Sequence, residues 1–396
     1  MSLGKKLSVL VGVVAISVGG AYYFKFWPFA SREPRQAIEI ENGKSMADNE
    51  PEPMKNTGPV SPITGIACEH WNRRPFAVMQ PVDKQARPVA GFSQADMVFE
   101  MPNPAEGIFV TRLLGVYLCD MPEEIGAMRS TRHDYINVAK SLDAIFVGVG
   151  GSAFSLKKLK EGVIDYIDCD GKGSQCCFHK EHTGLMRIED DRYAKGEKFL
   201  ECAKEFGYRM ESKFSGYMHG QDAPLEDRPS GGKLTVGFPG IMRAEFAYDK
   251  GTNSYPRTWG GDPDIDRNNG KQIMPKNIVV MTADNEQIMA DVDYSSRPQD
   301  PWSGLDAWEK AGPKNISGRY NNLNMGDPWF DTKDSGDAKY YMNGREYSGT
   351  WKKDKTKLES KLFFYDESGK EINFVPGQIW VDVVVPGLKV EWEPGV

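Results

Sequence analysis

One uncharged segment, Leu7 to Phe24, restricts this 396-residue chain more than any other feature of its sequence. A pair of lysines precedes it and an aromatic stretch, Tyr22 to Trp27, closes it. The segment therefore has the length and the flanks of a helix that crosses a bilayer. We predict residues 1–6 as a cytoplasmic tip, 7–24 as a single-pass transmembrane anchor of the cell membrane, and the bulk of the chain as extracytoplasmic.

The same segment allows a second interpretation, a signal peptide that is cleaved after Ala21. Gly19 and Ala21 supply small residues at the −3 and −1 positions of such a cleavage site. Positive charges at Lys25, Arg32 and Arg35 nearly match those before the segment, so charge alone does not fix the orientation. Both interpretations export the rest of the chain.

Composition argues against one class of partner and for an ordinary globular fold. Hydrophobic residues make up 40% of the chain and charged residues 27%, as in typical globular proteins. The net charge of −7 leaves little to neutralise phosphates, so we expect no nucleic-acid partner. We predict no cofactor. The partners that we expect are the membrane, through the N-terminal helix, and an envelope polymer or an envelope protein.

The chain after the anchor divides into four parts by its composition and its pattern of apolar residues. Residues 25–60 are polar and rich in Glu, Asn, Pro and Lys, and they predict a flexible spacer. Residues 61–215 alternate short apolar runs such as FAVMQ, which look like strands, with helix-like segments at 131–142, 155–161 and 190–206, and this alternation predicts an α/β domain. A Gly-, Pro- and Asp-rich linker, 216–235, precedes a β-rich domain at 236–392, where strand-like runs are separated by hairpin-type turns. The predicted fold class is an α/β N-terminal domain plus a β-rich C-terminal domain, preceded by a single N-terminal transmembrane helix.

Several sequence blocks together resemble the YerB-like family of bacterial envelope lipoproteins. The blocks are SPITG (Ser61–Gly65), NRRPFAVM (Asn72–Met79), ARPVAGFSQADMVFE (Ala86–Glu100), TRLL (Thr111–Leu114), IGAMRSTR (Ile125–Arg132), DAIFVGVGGS (Asp143–Ser152), FAYDKGTNSYPR (Phe246–Arg257), the turn from Asp266 to Gly270, NIVVM (Asn277–Met281), GTWKK (Gly349–Lys353) and PGQIWVDVVVPG (Pro376–Gly387). Their order along the chain carries the resemblance. It implies an exported, membrane-held protein with an α/β and a β-rich domain, and it implies no particular activity.

This chain departs from the family pattern at three places. It has no cysteine before Cys68, whereas the family carries a lipid-modified cysteine after a short signal sequence. Pro81-Val82-Asp83 stands where the family tends to place Asn, and Val147-Gly148-Val149 replaces a usual His. An activity that uses those polar residues in relatives is in doubt here.

A glycine-rich turn and three arginines form the predicted ligand-binding site. Gly150 and Gly151, with Ser152 as a helix cap, let backbone N–H groups converge at a helix start, which suits a carboxylate or phosphate oxygen. The planar forks of Arg112, Arg129 and Arg132 bind such groups bidentately, and the resemblance matches these arginines to family positions. Two simpler explanations remain: a tight turn that only serves packing, and arginines that pair with Glu100, Glu106 and Asp143.

Acid/base residues are predicted at Glu100, Glu106 and His182. The two glutamates lie close to Arg112 in sequence, and the resemblance matches His182 to a family histidine, while Glu106 aligns only with a one-residue shift. These three residues are the candidate catalytic groups.

Six cysteines and two histidines allow further interpretations. The cysteines, which permit 15 pairings, are Cys68, Cys119, Cys169, Cys176, Cys177 and Cys202. The segment from Cys169 to His182 is dense in zinc-type ligands but matches no standard zinc motif, so we predict no metal site. Asp262, Asp264 and Asp266 alternate as in a calcium loop, yet the required Gly and Glu are missing, which favours a hairpin turn.

The sequence thus supports three hypotheses for function. The preferred one is a membrane-anchored envelope protein that binds an anionic cell-wall or small-molecule ligand, or a partner. The second is a hydrolase or transferase that acts on an envelope polymer. The third is a protein-docking scaffold, and close approach of the predicted site residues in one cleft would argue against it.

Overall fold

The computed structural model describes residues 59–103, 110–180, 190–287, 321–329 and 333–396. Its strands, in chain order, are β1 (Phe76–Gln80), β2 (Met97–Pro102), β3 (Thr111–Tyr117), β4 (Ile125–Gly126), β5 (Ile145–Gly148), β6 (Tyr166–Asp168), β7 (Phe178–His179), β8 (Arg192–Ala194), β9 (Met218–His219), β10 (Gly232–Val236), β11 (Ala244–Ala247), β12 (Arg257–Trp259), β13 (Asp262–Pro263), β14 (Asn277–Thr282), β15 (Asn285–Gln287), β16 (Asn321–Leu323), β17 (Ser335–Met342), β18 (Arg345–Lys352), β19 (Phe363–Asp366), β20 (Asn373–Phe374), β21 (Ile379–Val384) and β22 (Val390–Pro394). The α-helices of the same residues are α1 (His133–Ser141), α2 (Ala153–Lys160) and α3 (Gly196–Glu205).

A mixed sheet of ten strands organises the described part of the chain. Its order is β19-β18-β17-β14-β21-β2-β3-β1-β5-β6. Strands β14, β21 and β2 run parallel to one another, and so do β1, β5 and β6, while β3 runs antiparallel to both of its neighbours. Strand β21, whose six residues are all buried, lies between β14 and β2 and thereby joins strands from the two halves of the sequence.

Different layers cover the two faces of this sheet. Helix α1 packs on one face through Tyr135, Ile136 and Ala139. On the other face lie helix α3, where Phe199 stacks on Phe76, and a five-stranded sheet of order β13-β12-β11-β10-β22. Each face is therefore largely apolar and buried, which explains why central strands such as β1 and β21 are hydrophobic on both sides apart from Gln80 and Asp382.

The predicted fold class is wrong. Among the described residues strand far exceeds helix, and the main sheet draws strands from both predicted domains instead of forming an α/β domain beside a separate β-rich one. The physical reason is that alternation of short apolar runs identifies strands but not their partners, and β21 pairs with β2 across 282 residues of sequence. The domain boundaries themselves stay a prediction.

The predicted transmembrane helix at 7–24 and residues 25–58 of the spacer predicted at 25–60 lie outside the described residues. Within the part of the chain that the structure describes, no helix is long and apolar enough to cross a membrane.

All six cysteines form disulfides, in the pairs Cys68–Cys119, Cys169–Cys177 and Cys176–Cys202. Cys169, Cys176 and Cys177 of the cysteine-rich segment are therefore not free thiols. Among the described residues no group of His, Cys, Asp and Glu is arranged to hold a metal. Two of the calcium-like aspartates instead act as structural acceptors: Asp264 pairs with Arg87 and Arg257, and Asp266 accepts the backbone N–H of Gly91.

Candidate functional site

The carboxyl ends of three strands meet at one edge of the main sheet. Because β1, β2 and β5 share a direction, their last residues lie together, and the antiparallel β3 begins at the same edge, with Arg112 opposite Met101. Ligands of open sheets with parallel strands commonly bind outside such carboxyl ends. The loops that leave this edge carry Asp83, Asn103 and the glycine turn.

An extended segment, residues 128–132, crosses this edge beside the glycine turn. The N–H of Arg129 donates to the carbonyl of Met79, at 2.9 Å, and the carbonyl of Arg129 accepts from Val149. Thr131 forms a parallel bridge with Gly151, and its N–H donates to the carbonyl of Gly150. These bonds fix Arg129 and Arg132 next to the turn.

Arg112 lies on the same side of the sheet as α1 and points towards this segment. Its Nη1 donates to the carbonyl of Ser130 at 3.1 Å. Within the described residues no carboxylate lies within 4.0 Å of its guanidinium nitrogens. Burial, and then the charges of Arg132 and Arg129, hold the pKa of Arg112 well below its usual range. We call Arg112, Arg129 and Arg132 the arginine cluster.

Arg129 has carboxylates beside it but uses few of its donors. Its Nη2 donates to Asp83 at 3.3 Å, while its Nε lies 3.7 Å from Asp190, too far for a hydrogen bond. That Nε is buried and has no hydrogen-bond partner among the described residues. Arg129 therefore keeps N–H groups available for an additional acceptor.

Arg132 completes the cluster at the residue before α1. Its Nε donates to Oδ1 of Asn103 at 3.0 Å, and its Nη1 donates to the carbonyl of Thr131 at 2.8 Å. Asn103 continues the pairing of β2 with β3, since its N–H donates to the carbonyl of Val110. The end of β2 thus orients the third guanidinium.

The glycine turn, residues 149–151, fits tightly against Thr131. Gly150 adopts a φ of +54°, and a Cβ on Gly151 would lie 2.1 Å from Oγ1 of Thr131. Ser152 caps helix α2, accepting the N–H of Ser155. Close packing therefore accounts for Gly151, whereas the positive φ accounts for Gly150, and the packing of Gly151 on Thr131 brings the turn to the arginine cluster.

Glu100 lies away from the cluster, on the opposite face of the sheet. Successive side chains of a strand alternate, and Glu100 is paired with Leu113, the neighbour of Arg112. Its carboxylate, fully buried, accepts from Thr111 at 2.6 Å and from Arg257 at 2.6 Å. Burial raises the pKa of Glu100, and the adjacent Arg257 opposes that rise. Asp382, its neighbour on β21, has a pKa raised well above the ordinary value by burial and by Glu100.

The structure thus brings together six of the nine predicted site residues. These are Arg112, Arg129, Arg132, Gly150, Gly151 and Ser152. Glu106 and His182 lie outside the described residues, and Glu100 is separated from the cluster by the sheet. Asp143, expected as a partner of these arginines, instead pairs with Arg209 and Arg74.

Sequence reasoning assigned no role to Asp83 and Asn103. Both follow a strand that ends at this edge, Asp83 after β1 and Asn103 after β2. A polar residue just past the carboxyl end of a buried strand was the signal that could have found them.

Comparison with known proteins identifies relatives of this chain. Residues 63–209 match the N-terminal domain of a family described as protein of unknown function DUF3048, and residues 234–304 and 313–381 match its C-terminal domain. YerB of Bacillus subtilis (strain 168) is 25% identical to this chain over 331 residues, which cover 82% of this chain and 86% of YerB. The name of that protein describes it as a proposed lipoprotein. The crystal structure of the YerB protein from Bacillus subtilis superposes with a TM-score of 0.65 at 23% identity, over 84% of this chain and 99% of that one. The likeness of the structures is one of fold.

Proposed function

Since this chain belongs to the DUF3048 family, as its matched N- and C-terminal domains show, we propose that it is an envelope-associated protein that binds an anionic ligand through the arginine cluster. Separate observations support the two halves of this proposal, the location of the protein and the chemistry of its ligand.

The proposed location is supported by the similarity to YerB and by the pairing of the cysteines. YerB is similar over most of this chain, and its name proposes a lipoprotein. All six cysteines are paired, and disulfides persist in oxidising compartments outside the cytoplasm. An envelope protein that faces away from the cytoplasm accounts for both.

The proposal of an anionic ligand is based on the environment of Arg112. Its side chain is half-buried, and two further guanidinium groups lie next to it, whereas no described carboxylate pairs with it. A cation that is partly withdrawn from water without a paired carboxylate is costly, and an anion held by two or three arginines would compensate it. Arginine forks bind carboxylate and phosphate bidentately, so the bound group would have one of these chemistries.

The arrangement gives less support to a hydrolase or transferase. Such an enzyme needs a carboxylate or imidazole that can exchange protons with a substrate at the cluster. Glu100 is held by Arg257 and Thr111 behind the sheet. The described acids beside the cluster, Asp83 and Asp190, are engaged with Arg129.

Titration of the full chain tests the proposal, with inorganic phosphate and N-acetylalanine as probes. Replacing Arg112→Gln removes a guanidinium charge of the cluster, so we expect about tenfold weaker binding by calorimetry, as for the loss of a charged hydrogen bond. In anion-free buffer the melting temperature of this variant should be equal to or above that of the wild type. Sites that bind ligands commonly trade stability for function in this way.

The matched control is Arg243→Gln, which changes an exposed arginine paired with Glu245. It should leave binding of both probes unchanged. If the wild type binds neither probe, or if Arg112→Gln binds them as well as the wild type does, the proposed function is wrong.

A further inference from the structure

The arginine cluster includes an accessible negative charge. The side chain of Asp83 is 25% exposed, and it lies 3.3 Å from Nη2 of Arg129 in the loop that follows β1. Asp190, the second acid beside Arg129, is fully buried. A ligand that enters from solvent therefore meets Asp83 as well as the guanidinium groups.

A carboxylate at this position changes which anions are favoured. Asp83 lies close enough to Arg112 for its charge to favour the protonated guanidinium. A ligand with negative charge alone would be attracted by the arginines and repelled by Asp83. A ligand that also carries a positive charge would pair with the arginines and with Asp83. The site would then favour this ligand through attraction and disfavour simple anions through repulsion.

We propose, building on the anion-binding function above, that the site selects a zwitterionic α-amino-acid group, whose carboxylate is held by the arginine cluster and whose ammonium is held by Asp83. The two charges of such a group are adjacent, and so are the guanidinium of Arg129 and the carboxylate of Asp83. The ammonium would take over the hydrogen bond that Asp83 now accepts from Arg129. Arg129 keeps its buried acid, Asp190, as counter-charge.

Calorimetric titration of the full chain with alanine and with N-acetylalanine, each as both enantiomers, tests this inference. Acetylation removes the ammonium charge and leaves the carboxylate. We expect at least one enantiomer of alanine to bind about tenfold or more tightly than its acetylated form, as expected for a charge-assisted hydrogen bond. Asp83→Asn is isosteric, and in this variant the two affinities should agree to within about twofold.

Asp262→Asn is the matched control, because Asp262 is an exposed aspartate on strand β13. This variant should keep the preference of the wild type. Equal affinities in the wild type, or an unchanged preference in Asp83→Asn, would overturn the inference. If N-acetylalanine and phosphate still bind and depend on Arg112, the proposed function survives that result. If no probe binds, both fail.

Discussion

At the scale of single residues, Asp134 gives the protein a pH dependence that can be measured. Its carboxyl is buried at the start of α1 and accepts the N–H of Leu323 at 3.0 Å. Burial, the largest cause, raises its pKa to about 7. The folded state therefore binds its proton more tightly than the unfolded state, whose pKa is near 3.8.

We expect Asp134 to stabilise the fold fully below pH 4 and to lose this contribution as the pH rises to about 7, a change on the order of 4 kcal/mol. Asp134→Asn keeps the acceptor and removes the titration, so its free energy of unfolding should fall less between pH 4 and 7 than that of the wild type. Burial lowers the pKa of His133 to about 3, so His133 makes both proteins more stable as the pH rises through this range. Urea unfolding must therefore compare the pH dependence of the variant with that of the wild type. Parallel curves would show that the carboxyl does not titrate this way.

Residue chemistry was the part of the site that the sequence predicted best. The three arginines and the glycine turn carry recognisable functional groups, and the fold does bring them together. Glu100 could not be placed from sequence, because its position depends on strand parity: one residue along β2 changes the face of the sheet. Its partner Arg257 lies 157 residues away in the sequence, and no local sequence pattern predicts that ion pair.

At the scale of secondary-structure elements, the turn between β5 and α2 offers a paired test. Gly150→Ala should cost about 1–2 kcal/mol, because φ is +54° there but nothing lies within 4 Å of the new Cβ. Gly151→Ala places a Cβ 2.1 Å from Oγ1 of Thr131, a side chain held by Gly150 and Ser155. We expect this second variant to lose phosphate binding and to be the less stable of the two in urea unfolding. Equal stability and equal binding would mean that Thr131 moves freely and that the turn does not organise the cluster.

Local pattern predicted elements more reliably than it predicted their assembly. The helical segment expected at 131–142 is α1, and the run FAVMQ is strand β1. The segment expected as one helix at 190–206 instead contains β8 followed by α3. Its first residues pair with β4 and β7, and a pairing with distant strands outweighs helical spacing over a few residues.

At the scale of the whole molecule, β21 decides whether the two halves of the sequence can fold separately. It pairs in parallel with β2 on one side and with β14 on the other. Gln378, just before it, donates to the carbonyls of Phe92 and Ala95, both at 2.7 Å. A main sheet without β21 would expose the polar edge of β2, a strand whose residues are all buried.

We therefore expect deletion of residues 376–396, which removes β21 and β22, to abolish cooperative unfolding and to cause aggregation, as followed by circular dichroism and size-exclusion chromatography. Deletion of 389–396 is the matched control, since it removes only β22, the terminal strand of the five-stranded sheet. That shorter deletion should lower the melting temperature but keep one cooperative transition, because the main sheet stays complete. If the longer deletion also melts cooperatively near the wild-type temperature, the N-terminal strands form a stable sheet by themselves, and β21 only adds to it. The arginine cluster, built entirely on residues before 216, would then bind its ligand without the C-terminal half.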